Sequence, residues 1–144
     1  MISCSSEQEL NDDFDKLGKY EKLNIILKDS LKVNTVYNDI FVITEVDCPK
    51  CNYLFSKLSM KYFDEKVLIV VNSYGNKIDI STFKENEFKE NIVFDFDDLF
   101  INYGIVEKST FISLKESKID TLIEIEPISI EDKFDLIERI ITEK

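Results

Sequence analysis

Residues 40–51 of the chain read Ile40-Phe41-Val42-Ile43-Thr44-Glu45-Val46-Asp47-Cys48-Pro49-Lys50-Cys51. The first four residues are apolar and mostly β-branched, which is typical of a strand that is buried on both faces. Proline is favourable in the first turn of a helix because its missing N–H is not needed there. Beyond it, apolar side chains recur at the spacing of one helix face, at Leu54, Phe55, Leu58 and Tyr62. The stretch therefore predicts a buried strand, a turn that carries a C-x-x-C motif, and a helix over residues 49–63.

The rest of the chain continues this alternation. Apolar or alternating runs predict strands at residues 66–71, 92–96, 110–114 and 119–125, the last two joined as a hairpin. Apolar spacing predicts helices at residues 80–90, 97–103 and 129–141. Residues 21–31 fit either a helix or a strand. The order β-α-β-α-β-α-β-β-α predicts an α/β fold: a central mixed sheet with helices on both faces, ending in a hairpin and a helix.

Single residues define the two ends of the predicted helix at residues 97–103. Asp97 and Asp98 are expected to open this helix, and Gly104 to close it. The aromatic residues of this region fit a hydrophobic core better than a peptide-binding groove; they are Phe94, Phe96, Phe100, Tyr103 and Phe111.

The chain has 144 residues, which suits one domain with a substantial core. We expect residues 1–19 to form a polar tether or short helix and residues 20–144 to form the domain. The formal net charge is −11, so nucleic acid and anionic membrane surfaces are repelled on average. The sequence contains no histidine, which excludes a Ser-His-Asp triad, a Cys-His pair and every His-ligated metal site.

The C-x-x-C motif is the candidate for chemistry. A cysteine at a helix N-terminus meets free N–H groups and the positive end of the helix dipole, which lower the pKa of its thiol. Cys48 is therefore the expected nucleophile, and Cys51, one turn into the helix, the expected resolving thiol. Lys50 adds a positive charge, whereas Asp47 and Glu45 disfavour the thiolate.

Two other interpretations of the motif stay open. The pair can be an inert structural disulfide in a fold without redox activity. It can also be half of a zinc site, but the further ligands would then have to come from Cys4 and a carboxylate such as Asp47 or Glu45. Redox activity fits the position of the motif best, and it implies neither a metal nor an organic cofactor.

The third cysteine lies near the start of the sequence. Met1-Ile2-Ser3-Cys4-Ser5-Ser6 resembles the end of a bacterial lipobox, in which a cysteine follows a small residue and precedes a polar tether. Cys4 is thus a candidate for lipidation, and the protein is expected to be anchored outside the cytoplasm, in the periplasm or cell envelope. The alternative is an unmodified free thiol.

Two segments resemble the thioredoxin superfamily. Residues 41–63 look like its strand, active-site turn and helix, and residues 103–114, beginning Tyr103-Gly104-Ile105, look like its second signature. The extra helix and strand at residues 80–96 resemble the insert of TlpA-like, membrane-anchored thioredoxins that work outside the bacterial cytoplasm. The resemblance implies a thioredoxin-like fold and a thiol–disulfide oxidoreductase that acts on protein disulfides or dithiols. The direction of the reaction is left open.

The chain departs from the family pattern at three positions. Ser109 occupies the position of the family's cis-proline. A trans Lys108–Ser109 bond is expected, because a cis peptide bond before a residue other than proline is costly. Ser109 is expected to offer its hydroxyl to the sulfur of Cys48, with Pro49 and Lys50 as the other supporting residues. Asp47 replaces the usual tryptophan, and Val42 the buried acid. These departures keep an alternative open, in which the fold is a non-catalytic protein-interaction domain.

Overall fold

The computed structural model describes residues 17–143. Its helices are α1 (Lys19–Ile25), which continues into a π-helical turn (Ile26–Ser30), α2 (Pro49–Met60), α3 (Ser81–Glu85), α4 (Leu99–Asn102) and α5 (Ile130–Thr142). Its strands are β1 (Asp39–Thr44), β2 (Leu68–Asn72), β3 (Ile92–Phe94), β4 (Thr110–Lys115) and β5 (Lys118–Glu124). Residues 21–31, which fitted either class, are therefore helical. In this part of the chain, no helix is both long and apolar enough to cross a membrane.

The five strands form one mixed sheet in the order β3-β2-β1-β4-β5. β1 pairs in parallel with β2, and β2 in parallel with β3. β4 runs antiparallel to β1 and forms the predicted hairpin with β5. The α/β fold with a central mixed sheet is confirmed, and the arrangement is consistent with the thioredoxin-like fold that the resemblance implied.

Helices cover both faces of the sheet, as predicted. β1 is buried at all six positions, and its side chains alternate between two hydrophobic clusters. Phe41 and Ile43 pack with side chains of α2, α3 and α5. Ile40 and Val42 pack on the opposite face with side chains of α1 and α4. The central position of β1 therefore fixes where the chain leaves the sheet to begin α2.

The register of β1 and β4 decides which residues meet at the carboxyl end of β1. Val42 is paired with Thr110, the first residue of β4. Continued by one residue, this register places Ser109 opposite Ile43, and the hydroxyl of Ser109 accepts the backbone N–H of Thr44, the last residue of β1, at 2.9 Å. α2 begins at Pro49 on the same edge of the sheet, so three separate segments converge there.

Helix α4 begins differently from the expectation. The carboxylate of Asp95, not of Asp97 or Asp98, accepts hydrogen bonds from the backbone N–H groups of Leu99 and Phe100, both at 3.0 Å. Asp98 occupies the N-cap position with a left-handed φ of 54° and no side-chain capping bond. The predicted end at Gly104 is confirmed, since this residue has a φ of 73°, which glycine adopts readily.

The aromatic residues of this region divide between the core and the surface. Phe100 and Phe111 are fully buried and confirm the core interpretation. Phe94 is partly buried, whereas Phe96 is 40% exposed and Tyr103 is 39% exposed. The exposed Phe96 ring stacks on Tyr74 at a centroid distance of 5.1 Å. The core interpretation therefore holds for only part of the set.

Phe41 provides a test of this packing. Its ring centroid lies 5.2 Å from those of Phe55 and Phe111 and 5.7 Å from that of Tyr62. Phe41→Ala removes these contacts and leaves a cavity at the centre of the sheet, so we expect the free energy of unfolding to fall by about 3–5 kcal/mol in urea denaturation. Phe88→Ala is the matched control, because this side chain is 77% exposed; its loss should stay below about 1 kcal/mol. Equal losses in the two variants would contradict the packing described.

Candidate functional site

Cys48 is the N-cap residue of α2. Pro49 is the first residue of the helix, and the carbonyl of Cys48 accepts the backbone N–H of Asn52 at 3.0 Å. The sulfur of Cys48 accepts the backbone N–H of Cys51 at 3.2 Å. One of the free amides at the start of the helix is therefore directed at this sulfur, where the helix dipole also favours negative charge.

Cys48 and Cys51 form a disulfide with a Cα–Cα distance of 5.2 Å. The two cysteines differ in their surroundings. Cys51 is only 3% exposed and belongs to the hydrophobic cluster that contains Phe41, whereas Cys48 is partly exposed at the border of that cluster. Cys48 is therefore the only cysteine of the pair whose sulfur a large molecule could reach directly.

Ser109 is fully buried and is hydrogen-bonded to Asn52, the residue that follows Cys51. Its hydroxyl accepts the backbone N–H of Thr44 at 2.9 Å and donates to the side-chain Oδ1 of Asn52 at 2.7 Å. The carbonyl of Thr44, at 3.3 Å, is a second and more distant acceptor. Because a hydroxyl carries one hydrogen, the proton expected at the Cys48 sulfur is directed to Asn52 instead. The Lys108–Ser109 bond is trans, as expected, and no cis peptide bond occurs in residues 17–143.

Asn52 is the residue of this site that the sequence reasoning missed. It is 2% exposed, and its side-chain Nδ2 donates to the carbonyl of Val46 at 3.1 Å. Asn52 lies three residues before Phe55, so it continues the buried stripe of the helix toward its N-terminus. A polar side chain on the face predicted to be buried is the signal that could have identified it.

Charged side chains flank the pair on the other side. Lys108 Nζ lies 3.8 Å from Asp47 Oδ2 and 3.3 Å from Glu126 Oε1. The hydrogen bond to Glu126 is the main reason why the pKa of Lys108 is raised above its ordinary value. Lys108 therefore stays protonated and offsets the charge of Asp47, next to Cys48. Lys50 is exposed in the first turn of α2.

Glu45 is directed away from the sulfur pair, into the loop that follows β2. Its carboxylate accepts the hydroxyl of Ser73 and the backbone N–H of Lys77, the latter at 3.1 Å. Burial raises the pKa of Glu45, but these bonds, with those from the N–H groups of Asn76 and Ile78, outweigh it and lower the pKa overall. Glu45 thus anchors a loop beside the site.

A shallow cleft of ≈ 520 Å³ opens between this loop and the start of α4. Asp47 and Tyr74 are both among the residues that line the cleft. Tyr74 is 60% exposed and stacks on Phe96. The cleft therefore connects the residue before Cys48 with an exposed aromatic surface.

Residues 17–143 hold no group of three or more cysteine or carboxylate side chains that could bind a metal ion. Cys4, the lipidation candidate and the only remaining cysteine, lies outside the described residues. Searches of protein-family models, curated proteins and solved structures found no match to this chain.

The anchoring role of Glu45 gives a pH-dependent prediction. Its folded-state pKa lies below the ordinary 4.5, so its charged form stabilises the fold above pH 4.5 and this contribution is lost as the pH falls through the lower, folded-state pKa. We expect Glu45→Gln to lower the free energy of unfolding by about 1 kcal/mol at pH ~6, because its hydrogen bonds lose their charge. The difference from wild type should shrink toward pH ~3 in urea denaturation.

The control for this experiment is Glu87→Gln, a neutralisation of an exposed carboxylate on the surface. It should change the free energy of unfolding little at either pH. A Glu45→Gln effect that is constant across the pH range would show that the charge of Glu45 does not stabilise the loop.

Proposed function

We propose that the chain is a thioredoxin-like thiol–disulfide oxidoreductase of the TlpA-like type, which acts on protein disulfides or dithiols. The observation that carries this proposal is the position of the Cys48 sulfur. It is partly exposed, lies at the N-cap of a 12-residue helix and accepts the Cys51 N–H at 3.2 Å, while its disulfide partner is buried. A thiolate at this position is stabilised, and a buried thiol one turn away is held ready for the second step.

The reaction consists of two thiol–disulfide exchanges. In the reduced protein, the Cys48 thiolate attacks one sulfur of a substrate disulfide; a mixed disulfide forms, and the other substrate sulfur leaves as a thiolate. The Cys51 thiolate then attacks the Cys48 sulfur, and the first substrate sulfur leaves. The substrate is reduced by two electrons, the Cys48–Cys51 disulfide forms, and solvent supplies the protons. A dithiol reductant regenerates the pair, and the same steps in reverse oxidise a substrate dithiol.

Protein substrates suit the surroundings of the pair. The cleft lined by Asp47 is open and shallow, which admits an extended segment of chain rather than enclosing a small molecule. Tyr74, which also lines the cleft, stacks on Phe96, and the two rings offer an apolar surface there. Contact with this surface is how we propose that a substrate is held while its disulfide meets Cys48.

A second candidate function is favoured by Ser109. In the family that the chain resembles, a proline at this position orients the substrate backbone. Here the hydroxyl of Ser109 is hydrogen-bonded inside the domain, to Thr44 and Asn52. If substrate exchange depends on the proline, the domain serves as a non-catalytic protein-interaction module with a structural disulfide, and the assay below distinguishes the two.

The decisive measurement is insulin reduction by dithiothreitol, in full-length protein carrying Cys4→Ser so that only the pair reacts. We expect the protein to accelerate precipitation of insulin and Cys48→Ser to return the rate to that of dithiothreitol alone, because the attacking sulfur is lost. Cys51→Ser should accumulate a mixed disulfide that is visible on a non-reducing gel. Ser56→Ala, a buried substitution on the same helix, is the control and should retain the wild-type rate.

Coincident curves for the wild-type protein and Cys48→Ser would contradict the oxidoreductase proposal. They would favour the interaction module, since the fold and the disulfide would then exist without exchange activity.

We also propose that the protein works outside the cytoplasm, attached to a membrane by lipid on Cys4. The support is the Ser3-Cys4 pair with its polar continuation, and the compatibility of a Cys48–Cys51 disulfide with an oxidising compartment. Contact with the membrane is proposed through this lipid alone, because the chain is strongly acidic.

Metabolic labelling tests the anchor. When the complete gene is expressed in a bacterium, we expect labelled palmitate in the wild-type protein and its loss in Cys4→Ser, together with release from the membrane fraction. Cys48→Ser is the matched control and should keep the label. Absence of label from the wild-type protein, or its persistence in Cys4→Ser, would contradict the anchor.

A further inference from the structure

We propose that Asn52 is a positioning residue of the Cys48–Cys51 pair, and that it holds the turn carrying Cys48 jointly with Ser109. This inference rests on the proposed oxidoreductase function, because positioning matters only if the Cys48 sulfur reacts. It assigns a task to the one buried polar side chain of α2 that bonds to other elements of the site.

The turn before α2 needs an external restraint. Asp47 has a φ of 61°, a left-handed conformation that is unfavourable for a residue with a β-carbon. This conformation lets the chain leave β1 and present Cys48 as the N-cap of α2. Asn52 Nδ2 restrains this turn by donating to the carbonyl of Val46, the residue before Asp47, at 3.1 Å. The turn is thus fixed from within the helix that it precedes.

Ser109 fixes Asn52 in turn. The amide of Asn52 can hold Val46 only in one orientation, with its oxygen facing the opposite way. The hydroxyl of Ser109 donates to that oxygen at 2.7 Å and accepts the Thr44 N–H at 2.9 Å. Asn52 and Ser109 are both buried, so these bonds are shielded from competing water. Together they tie the end of β1, the turn, the start of α2 and the start of β4.

The restraint matters most in the reduced protein. In the oxidised protein the disulfide itself links Cys48 to Cys51. Once it is reduced, the alignment of the Cys48 sulfur with the Cys51 N–H depends on the turn alone. Asn52 therefore stabilises the Cys48 thiolate indirectly, and its loss should raise the pKa of that thiol and shift the redox equilibrium toward the disulfide.

The charged groups near Cys48 stay the same when Asn52 is replaced, so they do not affect the test of its positioning role. The charged groups around Cys48 are Asp47 and Lys50 on its own turn, with Lys108 and its partner Glu126 opposite them; the Glu45 carboxylate faces the loop after β2. Substitution of a neutral amide by alanine leaves all of these charges in place. A shift in the thiol pKa would therefore report on geometry.

The test uses full-length, reduced protein with Cys4→Ser, and follows thiolate absorbance near 240 nm against pH. Asn52→Ala should raise the pKa of Cys48 by about one unit, and Ser109→Ala, which leaves the bond to Val46, should raise it by less. The equilibrium with glutathione should move toward the disulfide in the same order. Ser56→Ala removes a buried hydroxyl that bonds within α2, to the carbonyl of Tyr53, and should change neither quantity.

The outcomes separate this inference from the function on which it rests. A wild-type protein that does not reduce insulin and whose Cys48 titrates near ~8.5 overturns the proposed function. An active wild-type protein whose Asn52→Ala and Ser109→Ala variants match Ser56→Ala in both measurements overturns the role of Asn52 alone. Should Asn52→Ala fail to fold in a urea titration, Ser109→Ala decides by the same two readings, since it breaks only one of the bonds.

Discussion

The polar backbone groups at the carboxyl end of β1 impose the constraint on which the site depends. The Thr44 N–H is buried and the Val46 carbonyl, just after the strand, is partly buried, so an unpaired group is costly at either place. The N–H of Thr44 is satisfied by Ser109 and the carbonyl of Val46 by Asn52, while the free N–H of Cys51 meets the Cys48 sulfur. In residues 17–143 every buried side-chain nitrogen and oxygen also has a hydrogen-bond partner. The Cys48 sulfur therefore takes part in the same network that completes the end of the strand.

This network changes how the acidic character of the chain acts on the sulfur pair. The sequence places Glu45 and Asp47 within three residues of Cys48, which suggests two opposing charges. In the folded chain the Glu45 carboxylate is occupied by the loop after β2, and Asp47 lies close to the ammonium group of Lys108. The helix N-terminus consequently acts on the sulfur with less opposition than the sequence suggests. The acidic net charge is a property of the whole surface and is not concentrated at the pair.

The spacing of apolar residues was sufficient to predict most of the strands and helices. An element that is buried on one face or on both leaves a regular pattern of apolar residues in the sequence. β1, α2 and the β4–β5 hairpin were predicted for this reason. Residues 21–31 were not decided, since their apolar positions fit either period. Capping was predicted less well: Asp95 lies farther from α4 in sequence than Asp97 and Asp98, yet its position at the end of β3 directs its carboxylate to the helix. Such a choice depends on where the strand ends in space.

The Cys48–Cys51 pair was visible in the sequence, but the contact between Asn52 and Ser109 that lies next to it was not. Cys48 and Cys51 have a recognisable spacing, whereas the contact of Asn52 with Ser109 joins residues 57 positions apart in sequence. Only the register of β1 with β4 brings Ser109 to this edge, and that register follows from the pairing of whole strands. The resemblance pointed to residue 109 as important but suggested the sulfur as its partner, whereas the hydroxyl of Ser109 donates to the side-chain oxygen of Asn52.

A proline in place of Ser109 would change the hydrogen bonding of this site. A proline side chain forms no hydrogen bonds, so it would leave both the Thr44 N–H and the Asn52 oxygen without their present partner. Asn52 and Ser109 therefore belong together as one polar unit, and neither is readily replaced alone. The carbonyl of Ser109 is also engaged, by the N–H of Ile125 at 2.9 Å. Because these groups are committed inside the domain, the proposed oxidoreductase would have to contact its substrate chiefly through the exposed side of the turn and the cleft lined by Asp47. The chemistry of the sulfur pair does not require more, because thiol–disulfide exchange needs an accessible sulfur, a stabilised thiolate and a second thiol within reach.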